Sequence, residues 1–229
     1  MRPTLRLHGA ASTVDALVAP HAAAVEEATG VRLSVERSNA GKGLRDLVEG
    51  RCDLALASAS LDATIAAARS AGLSTVPRDL RLHVAATSEV VFVVHPSNPV
   101  RRLSREQLRD LHCGRIASWE DVGGPDLPVA VVTDAAASAT RALVRQVVLG
   151  GAEYAPSARA VAAVAELNDE VARIPGAIGA LGRELADPSR VAVVETAKVE
   201  RPLAFVSAGA PSPDAAYVIE AFRREAARR

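Results

Sequence analysis

The chain has 229 residues, with 27 basic and 27 acidic side chains and a formal net charge of zero. A balanced chain carries no global field to recruit nucleic acid or an anionic membrane, so any recognition of charge must be local. Two cysteines, Cys52 and Cys113, and five scattered histidines exclude a disulfide-rich scaffold and show no metal-ligand spacing; no metal or cofactor is expected. The cysteines are read as small, buried, apolar side chains, either paired or free. No apolar stretch approaches the 18 or so residues that span a membrane.

From the N-terminus, LRLHG reads as a short strand that starts almost at Met1. MRPTLRLHG lacks the apolar run of a signal peptide, so any leader is expected to have been removed. The strand meets Ser12 and Thr13, good N-cap types, ahead of the helix VDALVAPHAAAVEEAT, which Gly30 closes and which is expected to bend or restart near Pro20. VRLSVE alternates as a half-exposed strand does, and SNAGKG leads from it into the short helix LRDLVEG. Gly41 and Gly43 could let the backbone approach a small ligand there, with Lys42 adding positive charge. DLALAS is a buried strand ending at Ser58, and LDATIAAARSAG is a helix closed by Gly72.

Strands alternating with helices at this spacing indicate βαβ units in a largely parallel sheet, which binds ligands beyond the carboxyl ends of its strands. Ser12, Thr13, Ser38 and Ser58 would lie at that edge. From Leu80 to Val94 two strand-like runs, LRLHVAA and EVVFVV, flank Thr87 and Ser88, where the chain is expected to cross into a second lobe.

That lobe holds VVFVV, the helix SREQLRDL, the segment CGRIASWEDVGGPDLP, the strand VAVVT and then DAAASATR at the head of a helix. Such a junction aims unpaired backbone N–H groups at one point, a natural place for an anion, with Ser138, Ala139, Thr140 and Arg141 at it. The lone tryptophan, Trp119, is expected to anchor its loop to this lobe. AVAAVAELNDEVARI is read as a helix, GAIGALG as a glycine-spaced strand, VAVVE and PLAFV as two further strands, and PDAAYVIEAFRREAARR as an amphipathic terminal helix. The return to the first lobe is expected near Arg190. The expected domains are 1–87 with 190–229, and 88–189. The fold class is α/β, two lobes separated by a cleft, with no catalytic signature: no phosphate loop, no nucleophile elbow, no HExxH.

The run VVHPSNPVRRLSREQLRDLHCGRIASWEDVGGPDLPVAVVT, followed by SATR and PGAIGALG, with GAASTV and DLALASASL before it, resembles the phosphate-binding proteins of bacterial ABC importers, within the type 2 periplasmic binding proteins. The resemblance implies two α/β lobes, each a mostly parallel sheet flanked by helices, joined by a two-stranded hinge. It further implies a periplasmic or extracytoplasmic monomer that binds a small polar or anionic solute and delivers it to a permease, without catalysis. Its site residues would be Ser12, Thr13, Ala40, Gly41, Ser58, Ser138, Ala139, Thr140 and Arg141. Three positions depart from the family: Ala40 replaces a ligand serine, Ser58 an aspartate, and Asp134 the arginine that pairs with the anion. The alternative, motivated by Asp134, Ala40, Ala136 and Ala137, is a binding protein that has lost its solute and works as a sensor or docking partner.

Overall fold

In the computed structural model, which describes residues 2–134, 138–162 and 165–228, strands and helices alternate along most of the chain. They are β1 (Thr4–Ala10), α1 (Ala11–Thr13), α2 (Ala19–Thr29), β2 (Arg32–Ser38), α3 (Ala40–Val48), β3 (Leu54–Ala57), α4 (Leu61–Ser70) and β4 (Leu80–Val94). There follow α5 (Arg105–His112), β5 (Ala130–Thr133), α6 (Ala139–Val147), β6 (Arg159–Ala160), α7 (Ala165–Arg173), β7 (Ala177–Gly182), β8 (Ala192–Ala208) and α8 (Pro213–Ala226). The chain divides into two compact units, Met1–Ser88 with Arg201–Arg229, and Glu89–Glu200. It passes between them twice, once within β4 and once within β8.

Several boundaries differ from those read in the sequence. LRLHVAA and EVVFVV form one continuous strand, as do VAVVE and PLAFV. The return crossing therefore falls at Glu200 and Arg201 rather than near Arg190, because the first half of β8 places Val194 and Val199 in the second unit's core. Near Pro20 the helix restarts, as one of the two outcomes expected there: α1 and a π-helical turn over Val14–Val18 lead directly into α2, and Pro20 sits in the first turn of α2, where a missing N–H costs little. The helix read in AVAAVAELNDEVARI covers Ala165–Arg173, its start being preceded by β6 and by residues 163–164, outside the described set.

In the first unit the strands run in the order β2, β1, β3, β8. β1 pairs in parallel with both β2 and β3, and β3 antiparallel with β8. Leu7, Leu54, Leu56 and Phe205 turn one face into a core with Val14, Leu17, Val25, Val218, Ile219 and Phe222 of the flanking helices. The rings of Phe205 and Phe222 lie 5.3 Å apart between centroids. The opposite face carries α3 and α4 on Leu44, Ala55, Ala57, Ala68 and Val206. Because both faces are covered, β3 is apolar throughout.

The second unit has the strand order β4, β7, β5, β6; β7 is antiparallel to β4 and parallel to β5, and β5 is parallel to β6. One face buries Phe92, Val94, Leu108, Leu111, Trp119, Val131, Val144 and Ile178. The other packs Val91, Val93 and Val132 on Leu167 and Val171 of α7. Helix α5 starts with a full capping box: Gln107 N–H donates to Ser104 Oγ, and Ser104 N–H to Gln107 Oε1 at 2.8 Å.

Candidate functional site

In the first unit the parallel strands β1, β2 and β3 end at Ala10, Ser38 and Ala57, so their carboxyl ends share one edge, and helices start directly beyond them at Ala11, Ala40 and Leu61. Ser12 and Thr13 do not cap the first helix, whose N-cap is Ala10 without a side-chain bond; they occupy its first turn. Thr13 is fully buried, and its hydroxyl donates to the Ala57 carbonyl at 2.8 Å, tying the start of α1 to the end of β3 beside buried Ser58. Ser12 Oγ is buried with no protein partner. A hydroxyl left unsatisfied at a helix start costs free energy unless something meets it.

Helix α3 starts earlier than the sequence suggests. Asn39 is its N-cap, accepting from Lys42 N–H at 2.8 Å, and Ala40 and Gly41 form the first turn. Here the structure assigns the glycines to packing within the protein. A Cβ on Gly41 would stand 2.5 Å from the Ala67 carbonyl oxygen, and one on Gly43 2.4 Å from that of His8. Both residues let α3 lie close against α4 and β1. Nor is Lys42 reserved for a ligand: its ammonium lies 2.5 Å from Glu36 Oε1 and 3.0 Å from Asp46 Oδ2.

Asp46 anchors this network. It is 1% exposed and accepts from Lys42 and Arg51, with His8 Nδ1 at 3.0 Å. Burial alone would push its carboxyl up, but the hydrogen bonds from His8, Lys42 and Arg51 prevail and hold it well below the usual carboxylate range. His8, Glu36 and Asp46 each bring one metal-ligating atom within 4.8 Å of the others. The sequence shows no such spacing, because His8 and Glu36 meet across the register of β1 and β2 and Asp46 comes from α3. With the Lys42 ammonium bonded to both carboxylates, the cluster is an ion-pair network in this state.

In the second unit Ser138 is the N-cap of α6, and Ala139, Thr140 and Arg141 form its first turn. The expected unpaired N–H groups are in fact occupied: those of Thr140 and Arg141 donate to Ser138 Oγ at 3.1 and 3.4 Å. The same hydroxyl donates to Asp134 Oδ2, and Asp134 is 3% exposed. Arg141 folds back onto its own unit. Its Nη1 donates to Thr133 Oγ1 at 2.6 Å and to the Asp134 carbonyl at 3.3 Å, and its guanidinium lies 4.8 Å over the Tyr154 ring. Burial, then the Asp134 charge, push the Tyr154 phenol up.

Thr133, Asp134, Thr140, Arg141, Tyr154 and His112 line a cavity of about 10 Å³, room for a single water. His112 Nδ1 lies 2.8 Å from the Leu108 carbonyl and so carries the proton, while Nε2 has no protein partner. Burial pushes this imidazole down to about 4. Ala136 and Ala137 fall outside the described residues.

The two most distinctive motifs of the sequence hold the second unit together. Trp119 is fully buried and its Nε1–H donates to the Gly176 carbonyl at 2.9 Å, which also accepts from Ala130 N–H at 2.9 Å. A Cβ on Gly176 would meet the Pro128 carbonyl oxygen at 2.0 Å. WEDVGG and PGAIG therefore lock the starts of β5 and β7 side by side, and Trp119 anchors its loop as expected.

Thus Ser12, Thr13, Ala40, Gly41 and Ser58 stand at helix starts and a strand end of the first unit, and Ser138, Ala139, Thr140 and Arg141 at one helix start of the second. In both α/β units helix starts lie beyond the carboxyl ends of parallel strands, the edge at which open α/β sheets take their ligands. A family profile described as the PBP superfamily domain matches residues 3–215. The chain belongs to the PBP superfamily. Its two-unit α/β architecture is that of the type 2 periplasmic binding proteins.

Among solved structures, this PBP-superfamily chain matches a phosphate ABC transporter substrate-binding protein from Clostridium perfringens, determined with bound phosphate, at a TM-score of 0.79 and 21% identity, covering 95% of this chain and 92% of that one. An ABC-type phosphate transport receptor from Vibrio cholerae matches at a TM-score of 0.75 and 22% identity, covering 98% and 95%. In sequence, the phosphate-binding protein PstS of Bacillus subtilis (strain 168) is 25% identical over 178 residues, 78% of this chain. The match spans 56% of that protein, so the chain covers little more than half the length of this relative. Among the described residues no helix is long and apolar enough to cross a membrane.

Proposed function

We propose that the chain is an extracytoplasmic solute-binding protein that holds a small oxyanion or other polar solute for an ABC importer, without chemical turnover. The observation that carries this reading is the carboxyl edge of β1, β2 and β3, where helix starts converge and the Ser12 hydroxyl is buried with no partner of its own. Helix starts supply oriented N–H groups and a partial positive charge, the means by which a protein binds a polar solute without a full counter-charge. Ser12, Ser58 and the first turn of α3 at Ala40 and Gly41 are its donors in the first unit. The relatives named for phosphate binding support the class of solute. Binding should stabilise the fold by about 2.7 kcal/mol at a hundredfold excess over Kd. A thermal-shift screen with phosphate, sulfate, molybdate, amino acids and small carboxylates tests this, and no shift at millimolar concentration from any of them refutes it.

A second reading has its own observation. Ala40 offers no hydroxyl at the start of α3, and Arg141 is held by Thr133, the Asp134 carbonyl and Tyr154 within its own unit. A chain without these contacts to give would act as a sensor or docking subunit. That reading expects a protein partner in a pull-down from the source cell, and micromolar solute binding in calorimetry defeats it.

A further inference from the structure

At the start of α6 the donors face an anion that belongs to the protein. The helix is nine residues long, and the first-turn N–H groups of Thr140 and Arg141 end on Ser138 Oγ. The Ser138 hydroxyl proton goes to the Asp134 carboxylate. The positive end of the helix is thus connected through one hydroxyl to a carboxylate that is 3% exposed. The nearby guanidinium of Arg141 is engaged by Thr133 Oγ1, by the Asp134 carbonyl and by the face of Tyr154.

We propose that Asp134 is a resident counter-anion that determines specificity: it takes, through Ser138, the place a solute anion would fill, so that the group a solute presents to the second unit is uncharged or positively charged. This rests on the solute-binding reading and narrows it. A second negative charge brought to the start of α6 would meet Asp134 at short range in a water-poor setting, where like charges repel strongly. Replacing the carboxylate by a neutral side chain removes that repulsion and releases the Ser138 hydroxyl as a donor, while leaving the helix N–H groups in position.

The test compares the wild-type chain with Asp134→Asn and Asp134→Ser, titrating each with inorganic phosphate by calorimetry after circular dichroism has confirmed the fold. We expect at least a tenfold gain in phosphate affinity in the variants, and no gain in either overturns the proposal. A second measurement needs no variant. In wild-type protein labelled for NMR, the amide resonances of Thr140 and Arg141 should stay in place as phosphate rises to tens of millimolar, and a saturable shift of either overturns the proposal. The two readings fail separately. Micromolar phosphate binding to wild type with those amides moving sinks the counter-anion and leaves solute binding standing. Phosphate affinity appearing in the variants, with no solute of the wider panel binding wild type, upholds the counter-anion and sinks solute binding.

Discussion

Replacing Asp46 by asparagine removes the charge at the centre of the network on β1, β2 and α3. The side chain is 2% exposed and has three basic neighbours, His8 at 3.0 Å, Lys42 at 3.0 Å and Arg51 at 2.6 Å. Breaking a fully buried ion pair costs about 3–5 kcal/mol, because it strands an uncompensated charge. Here the cations are not stranded: Lys42 and Arg51 are 39% and 47% exposed and keep Glu36 and Glu49 as partners. Each lost contact is therefore screened, and the net loss for Asp46→Asn should be about 2 kcal/mol. The carboxyl is held below its ordinary value in the folded state, so its contribution is fully present above the unfolded value near ~3.9 and is lost as pH falls through the depressed folded one. In urea titrations the gap between wild type and Asp46→Asn should not fall between pH 7 and 5, and should shrink below pH 4. A gap under about 0.5 kcal/mol at pH 7, or one already shrinking by pH 5, refutes the reasoning.

Four further outcomes are expected. Gly176→Ala brings a Cβ within 2.0 Å of the Pro128 carbonyl oxygen, a backbone atom that cannot turn aside, and should destabilise by about 3 kcal/mol in chemical denaturation. Trp119→Phe removes a buried donor from the Gly176 carbonyl, which keeps Ala130 N–H; the loss on the same assay should stay near ~1 kcal/mol beyond the change in ring size. Thr13→Val keeps the shape but deletes the bond to the Ala57 carbonyl, for a loss of about 1 kcal/mol in melting experiments. Ser12→Ala deletes a hydroxyl with no protein partner and should leave stability within about 0.5 kcal/mol, while reducing whatever thermal shift a bound solute produces.

The alternation of strands and helices was legible because apolar runs and closing glycines are local: Gly30 ends its helix as its residue type demands. The resemblance to phosphate-binding proteins was legible from contiguous motifs, and the Trp119 to Gly176 contact shows why those motifs carry so much signal. The continuity of β4 and β8 was not legible, since Thr87 and Ser88, and the TAKVER segment between VAVVE and PLAFV, look like breaks until strand pairing overrides them. The site was the least legible part. Whether a hydroxyl caps, bridges or waits for a ligand depends on contacts made far along the chain. Thr13 was read as a cap and reaches the end of β3, Lys42 was read as a ligand cation and is shared by two carboxylates, and the start of α6 was read as open and is filled by Asp134 through Ser138.

The burial of Trp119 also makes it a built-in optical probe. It is the sole tryptophan in the chain, it lies in the core of the second unit, and the two tyrosines are divided one to each unit, Tyr154 in the second and Tyr217 in the first. Emission excited at the red edge of indole absorption therefore follows the melting of the second unit alone, with no contribution from the first. Circular dichroism in the far ultraviolet follows both. A denaturation curve recorded by the two signals on one unmodified sample separates a concerted collapse, in which they coincide, from sequential loss of the units, in which they part.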